Sequence, residues 1–228
     1  MTHSDTRDRT VGSVLSDILL AAVSLFFNGL GIYLTIRADI GAGPWDVLNL
    51  GLSGTFGILY GNASIAVSLA ILLIDILLRE PIGIAMFIDS FVVGKSVDLF
   101  RALDIVPVPK TLPGSILMIL LGLTIMGYTQ YFYMKAALGC GPRDTLLVGL
   151  KKRIRRIPIG VISILLLSTA TLSGWLLGGP VGIGTLLCAF GSGPIMQAAF
   201  VSVGFDATQV RHQRLRESFR IFFPKKHN

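Results

Sequence analysis

Six long apolar runs, separated by short polar breaks, lay out the chain: Ile18–Ile36, Ile58–Leu78, Ile82–Phe100, Leu112–Met134, Pro158–Leu177 and Val181–Val203. At about 1.5 Å of rise per helical residue, each run is long enough to cross a hydrocarbon core of about 30 Å. Two further apolar pieces, Val47–Leu52 and Thr145–Leu150, are too short to do so. The first ends in Ser53-Gly54-Thr55-Phe56-Gly57, and the second runs into Lys151-Lys152-Arg153-Ile154-Arg155-Arg156, so each stops at or inside a membrane face. The pattern predicts an all-α membrane protein with about six transmembrane helices and two short re-entrant half-helices. Residues 1–17 read as a cytoplasmic N-terminal tail, 18–101 as one membrane repeat, 112–203 as a second, and 204–228 as a basic amphipathic cytoplasmic tail.

The division into repeats rests on one motif. Gly41-Ala42-Gly43-Pro44-Trp45-Asp46 recurs about 98 residues later as Gly139-Cys140-Gly141-Pro142-Arg143-Asp144. At the same offset Gly29 matches Gly127, Tyr33 matches Tyr131 and Leu48 matches Leu146. One residue further out, Pro81 matches Pro180, Gly83 matches Gly182 and Phe91 matches Phe190. Pro44 and Pro142 suit the first turn of a helix, where a missing N–H costs nothing, and Gly43 and Gly141 suit the cap before it. Asp46 and Asp144 then fall in the first turn, at the positive end of the helix dipole. Three spans per repeat is an odd number, which inverts the second repeat relative to the first.

Composition agrees with the patterning. The chain is 52% hydrophobic and only 14% charged, against about a quarter for soluble domains, and its mean hydropathy is +0.72. With a cytoplasmic amino terminus, the inside segments collect Arg7, Arg9, Arg79, Lys135, Arg143, the basic run from Lys151 to Arg156 and the basic residues of the tail, while the outside keeps only Arg37, Arg101 and Lys110. The asymmetry fits the positive-inside rule and places both termini in the cytoplasm. The first run is followed by Arg37-Ala38-Asp39 rather than by a small-residue cleavage site, so it reads as a retained span. The tail carries Leu215, Phe219, Phe222 and Phe223 at helical spacing between basic residues, which suits a helix lying on anionic lipids at the cytoplasmic face. Nucleic acid is not the expected partner.

Charges inside a bilayer cost about 2.5–3.5 kcal/mol on insertion scales, so each one calls for a reason. Asp89 lies near the centre of the third span, and Lys95 and Asp98 follow at a separation of three residues, which places that second pair on one helical face. For Asp89 two readings stand, a substrate or ion contact and a structural partner of Lys95 or of a motif backbone. Asp98 has Arg101 nearby, and Asp75 pairs with Arg79 at helical spacing. Asn28 and Gln130 sit at similar depths on the two repeats, placed either to hydrogen-bond between helices or to line a cavity. Trp45 is either an interface anchor or a cavity wall, and its counterpart in the second repeat is Arg143. The histidines, His3, His212 and His227, all lie in the tails, so any intramembrane proton coupling falls to carboxylates. Cys140 and Cys188 have no neighbours at metal-ligand spacing, and no cofactor is implied. No P-loop, nucleophile elbow or His-Glu-x-x-His motif occurs, which sets aside hydrolases and nucleotide-driven pumps.

The doubled Gly-x-Gly-Pro-x-Asp, continued in the first repeat by Val47-Leu48-Asn49-Leu50-Gly51-Leu52, resembles the YczE/YyaS/YitT-type bacterial membrane proteins over most of residues 14 to 203. Gly41, Gly43, Pro44 and Asp46 carry the likeness, as does Asp89 within Gly83–Gly94, while Arg143 departs from it. The resemblance implies a polytopic protein of the bacterial inner membrane.

Together these readings point to a small secondary transporter or permease. Its expected site comprises Gly41, Gly43, Pro44, Trp45, Asp46, Asp89, Lys95, Gln130, Gly139, Gly141, Pro142, Arg143 and Asp144, acting on a small solute or ion. Half-helix amino termini favour an anionic or zwitterionic solute, and the two motif aspartates favour cations or protons. The alternative is a non-transporting assembly factor or regulatory subunit. Self-association is open on either reading, and nothing in the sequence indicates an enzyme.

Overall fold

A computed structural model describes residues 10–206, and among them every regular element is an α-helix. The eight helices are α1 (Val11–Arg37), α2 (Pro44–Phe56), α3 (Tyr60–Leu77), α4 (Ile84–Leu103), α5 (Leu112–Lys135), α6 (Pro142–Arg153), α7 (Ile159–Leu176) and α8 (Ile183–Ser202). Lengths of 27, 13, 18 and 20 residues in the first half are followed by 24, 12, 18 and 20 in the second. The amphipathic tail with Leu215, Phe219, Phe222 and Phe223 lies outside the described residues, as do the three histidines.

Five of these helices, α1, α3, α5, α7 and α8, are long and apolar enough to cross a membrane. α4 matches α8 in length but carries Asp89, Lys95, Asp98 and Arg101. Large apolar side chains such as Leu19, Phe27, Leu117, Ile164 and Phe190 stand on the outside of the bundle, where lipid rather than water suits them. The first helix begins seven residues before Ile18. Thr10 caps it by accepting the Ser13 N–H, and Val14 is fully buried, so the segment assigned to a tail enters the helix at Val11.

α2 and α6 begin as the sequence predicts, with Gly43 and Gly141 as N-caps and Pro44 and Pro142 in the first turn. At 13 and 12 residues they extend no more than about 20 Å, short of a bilayer core. The loops ahead of them share one backbone path. Asp39 and its counterpart Ala137 have φ of 55° and 54°, and Gly41 and Gly139 have φ of 106° and 122°. At Gly41 a side chain would also collide with the Gly182 amide nitrogen, 2.6 Å from the place its Cβ would take.

α1 and α5 form the central pair. Their backbones meet at Gly31 and Gly122, and a Cβ on Gly122 would stand 2.6 Å from the Gly31 carbonyl oxygen. Toward the start of α1, Asn28 donates to Thr129 further along α5, so the two helices run antiparallel. α4 packs on α1 and α8 on α5. The short helices cross over: α2 lies against α7 of the other half, and α6 against α3. The loops are clasped the same way, because the Gly184 N–H donates to Ile40 O at 2.7 Å and its counterpart, the Ala85 N–H, donates to Leu138 O at 3.3 Å.

Three expected charge pairings take another form. Asp75 does not meet Arg79, because α3 ends at Leu77 and Arg79 sits in a left-handed turn at φ 54° that breaks helical register. Both Asp75 carboxylate oxygens are buried without a hydrogen-bond partner among the described residues. Asp98 turns from Arg101 to the amino end of α3, where its Oδ1 accepts the Gly61 N–H at 2.8 Å and supplies a cap from another helix. Lys95 donates to Asn62 Oδ1 at 2.7 Å and lies 4.0 Å from Asp98. Six residues from Asp89 is about one and two-thirds turns, which sends the lysine to a different face of α4.

Candidate functional site

Because each motif loop is gripped by the other half of the chain, the first turns of α2 and α6 meet inside the bundle. Trp45 and Arg143, which hold the same position in the two copies, stack on each other, with the guanidinium carbon 5.1 Å from the centre of the indole ring. Trp45 is thus a cavity wall rather than an interface anchor. Two adjoining cavities share this stack as part of their walls. The larger, of about 320 Å³, is lined by Asp89, Gly141, Arg143, Asp144, Asn28, Gln130, Ser64, Ser68 and Ser192, with Trp45, Val93, Met126 and Met196 as apolar walls. The smaller, of about 150 Å³, is lined by Gly43, Pro44, Asp46, Thr35 and Cys188. Ile32, Trp45, Leu123, Met126, Arg143 and Ser192 face both.

The carboxylates differ in how they are held. Asp46 is 7% exposed, and its Oδ1 accepts the Tyr60 hydroxyl at 2.7 Å, while that hydroxyl accepts Asn49 Nδ2 at 3.3 Å. Asp144 is exposed to the larger cavity and Asp89 half-buried beside it, and among the described residues no hydrogen bond or ion pair reaches either one. The Arg143 charge acts on all three aspartates, and Asp89 and Asp144 act on each other. The motif glycines let this happen: a Cβ on Gly141 would stand 2.9 Å from Asp89 Oδ2, and one on Gly43 would stand 2.8 Å from Asp46 Oδ2.

Most of the residues singled out in the sequence converge here. Gly43, Pro44, Trp45 and Asp46 line the smaller cavity or the stack, and Asp89, Gln130, Gly141, Arg143 and Asp144 line the larger. Pro142 is buried at the start of α6. Gly41 and Gly139 pack on Gly182 and Gly83 and shape the loops rather than the cavity walls. Lys95 lines neither cavity. Asn28 does both things expected of it, lining the larger cavity while donating to Thr129 Oγ1 at 3.1 Å.

Tyr60, Asn49 and the three serines were not anticipated. Cys188 was legible, since the offset that pairs Phe91 with Phe190 also pairs Asp89 with Cys188, and a thiol lines the smaller cavity where a carboxylate lines the larger. Arg143 was expected to serve one face of the membrane. In the structure it lines both cavities, because the loops interlock.

Fold and cavities together define a polytopic α-helical membrane protein with a polar chamber at its centre. The chain belongs to the family described as "Family of unknown function (DUF6198)", which matches residues 15–200. It is 32% identical over 182 residues to an uncharacterized protein of Haemophilus influenzae, covering 79% of this chain and 80% of the relative. The uncharacterized membrane protein YczE of Bacillus subtilis is 31% identical over 185 residues, covering 76% and 83% of the two chains. YyaS of the same organism is 28% identical over 194 residues, covering 79% and 94%. No solved structure matches the chain.

Proposed function

We propose that this protein is a small secondary transporter of the bacterial inner membrane that moves a small solute by alternating access between two inverted repeats. On this reading α1, α3, α4, α5, α7 and α8 span the membrane, α2 and α6 are re-entrant half-helices, and both termini are cytoplasmic. The basic residues Lys151 to Arg156 then meet anionic lipid headgroups.

One observation carries the proposal: the amino ends of the two half-helices meet at the Trp45–Arg143 stack, which forms a wall of two cavities, the larger lined by Asp89 and Asp144 and the smaller by Asp46. Discontinuous helices whose ends converge at a repeat interface are the usual construction of a transporter site. The antiparallel α1–α5 pair supports the inversion. Rocking one repeat against the other would open one cavity as the other closes, with the stack as the partition between them. The unpaired Asp89 and Asp144 supply polar contacts that an idle structural core has no use for.

The test is uptake into proteoliposomes containing the purified protein, against a panel of amino acids, vitamins and ions. Saturable flux of one class supports the proposal. Absence of flux throughout the panel, together with recovery of a stoichiometric partner by crosslinking in membranes, would replace the carrier with an assembly or regulatory subunit.

A further inference from the structure

The larger cavity contains more negative charge than its walls neutralise. Asp89 and Asp144 both face it, each has an oxygen within 4 Å of one point beside Gly141 (2.9 and 3.9 Å), and neither is hydrogen-bonded or ion-paired among the described residues. Among the described residues Arg143 is the only cationic side chain lining it. That guanidinium rests on the Trp45 ring, forms no ion pair within 4.0 Å among the described residues, and is shared with Asp46 in the smaller cavity. A second group points the same way. Tyr133, which stands outside the cavity lining, is 3% exposed, its buried hydroxyl has no hydrogen-bond partner among the described residues, and it lies within electrostatic reach of Asp89 and Asp144. Two carboxylates and a phenol left without partners in a membrane interior form an incomplete set, because each is costly until something donates to it.

We propose that this cavity binds a small organic cation of the primary-amine class between Asp89 and Asp144, and that Arg143 is a tethered cation competing for the same carboxylates. The proposal deepens the carrier reading and rests on it for the transport step alone. An ammonium group has three N–H donors and no acceptor, so one head can serve both aspartates. Val93, Met126 and Met196 offer an apolar wall for the hydrocarbon body. At about 320 Å³ the chamber is at the small end of ligand pockets, which run from about 300 to 1,000 Å³. An anion fits poorly, since its one cationic partner already answers to three carboxylates. When an amine occupies the aspartate pair, Arg143 is released toward Asp46, and this gives the stack two positions that depend on the occupant.

The experiment measures the melting midpoint of the full-length protein in detergent at neutral pH and low salt. Probes are methylammonium, butylammonium, phenethylammonium and guanidinium, with 3-phenylpropionate as the anionic counterpart of the largest amine. At least one amine should raise the midpoint by about 5 °C at saturation, with phenylpropionate inert. Asp144→Asn and Asp89→Asn should each weaken the amine's half-effect concentration about tenfold or more, and Arg143→Gln should tighten it by removing the competitor. Should one aspartate variant fail to fold, the other carries the test. Should both fail, the amine-against-carboxylate comparison on the native protein decides. Stabilisation by phenylpropionate that disappears in Arg143→Gln, or no shift with any cation, overturns the proposal. Amine binding without flux sinks the carrier reading and leaves the cation site standing, whereas flux of an anion with no amine effect does the reverse.

Discussion

Among the described residues, Asp89 and Asp144 are offset only by the charge of Arg143, which they share with Asp46, and that sets what their substitution should do. A buried charge with a partner destabilises when neutralised, because the partner is stranded. Asp89 strands nothing, since no hydrogen bond or ion pair reaches it among the described residues. Asp89→Asn should therefore keep or slightly raise the melting midpoint while removing flux, and a fall of about 2 kcal/mol in stability would show that the carboxylate has a structural task. Lys95→Met is the contrast, because that side chain is exposed and bonded to Asn62, so flux should stay within about twofold of native. At this scale the sequence was informative where cost alone flags a residue, as with Asp89. It misled where spacing stood in for geometry, as with Arg79 beyond the end of α3, whereas the three-residue spacing of Lys95 and Asp98 does bring that pair within 4.0 Å.

The short helices were legible because their starts are written in local chemistry: proline in the first turn, glycine before it, aspartate within it. Their partners were not, because nothing in a repeat says whether its elements pack within one copy or across to the other. The crossing shows in glycines. At the α2–α7 contact a Cβ on Gly174 would stand 2.5 Å from Leu48 Cα, so the two backbones touch. Where α6 meets the turn that follows α3, the contact is made by side chains, with Lys152 paired to Glu80 and Arg153 donating to Leu78 O at 2.6 Å. One joint is a backbone seal and the other a set of polar latches, and the latched one is the better suited to open. Gly174→Ala should accordingly destabilise by about 1–3 kcal/mol, the cost of overpacking, read as a lower midpoint in detergent. Gly160→Ala, in the same helix with open space around it, should leave the midpoint unchanged or higher. Equal behaviour of the two variants would remove the seal from the account.

For the whole molecule the inverted arrangement makes the strongest demand, since it assigns every loop a side. Among the described residues, polar side-chain contacts at the helix ends gather in two sets. Arg37 pairs with Asp104 and donates to Val106 O, and Thr55 donates to Leu177 O, which gathers the ends of α1, α2, α4 and α7 at one face. Glu80 with Lys152 and Arg153 with Leu78 gather the α3–α4 turn and the end of α6 at the other. The basic residues concentrate in the second set, so on the proposed topology the positive-inside rule assigns that face to the cytoplasm. In a variant without Cys140 and Cys188, a cysteine at Thr111, which opens α5 on the first face, should react with an impermeant maleimide added to intact cells. One at Arg156, in the same basic run as Lys152 but without its bond to Glu80, should react only after the membrane is opened. Labelling of both from one side would end the inverted repeat, and with it any scheme in which the two cavities open to opposite faces.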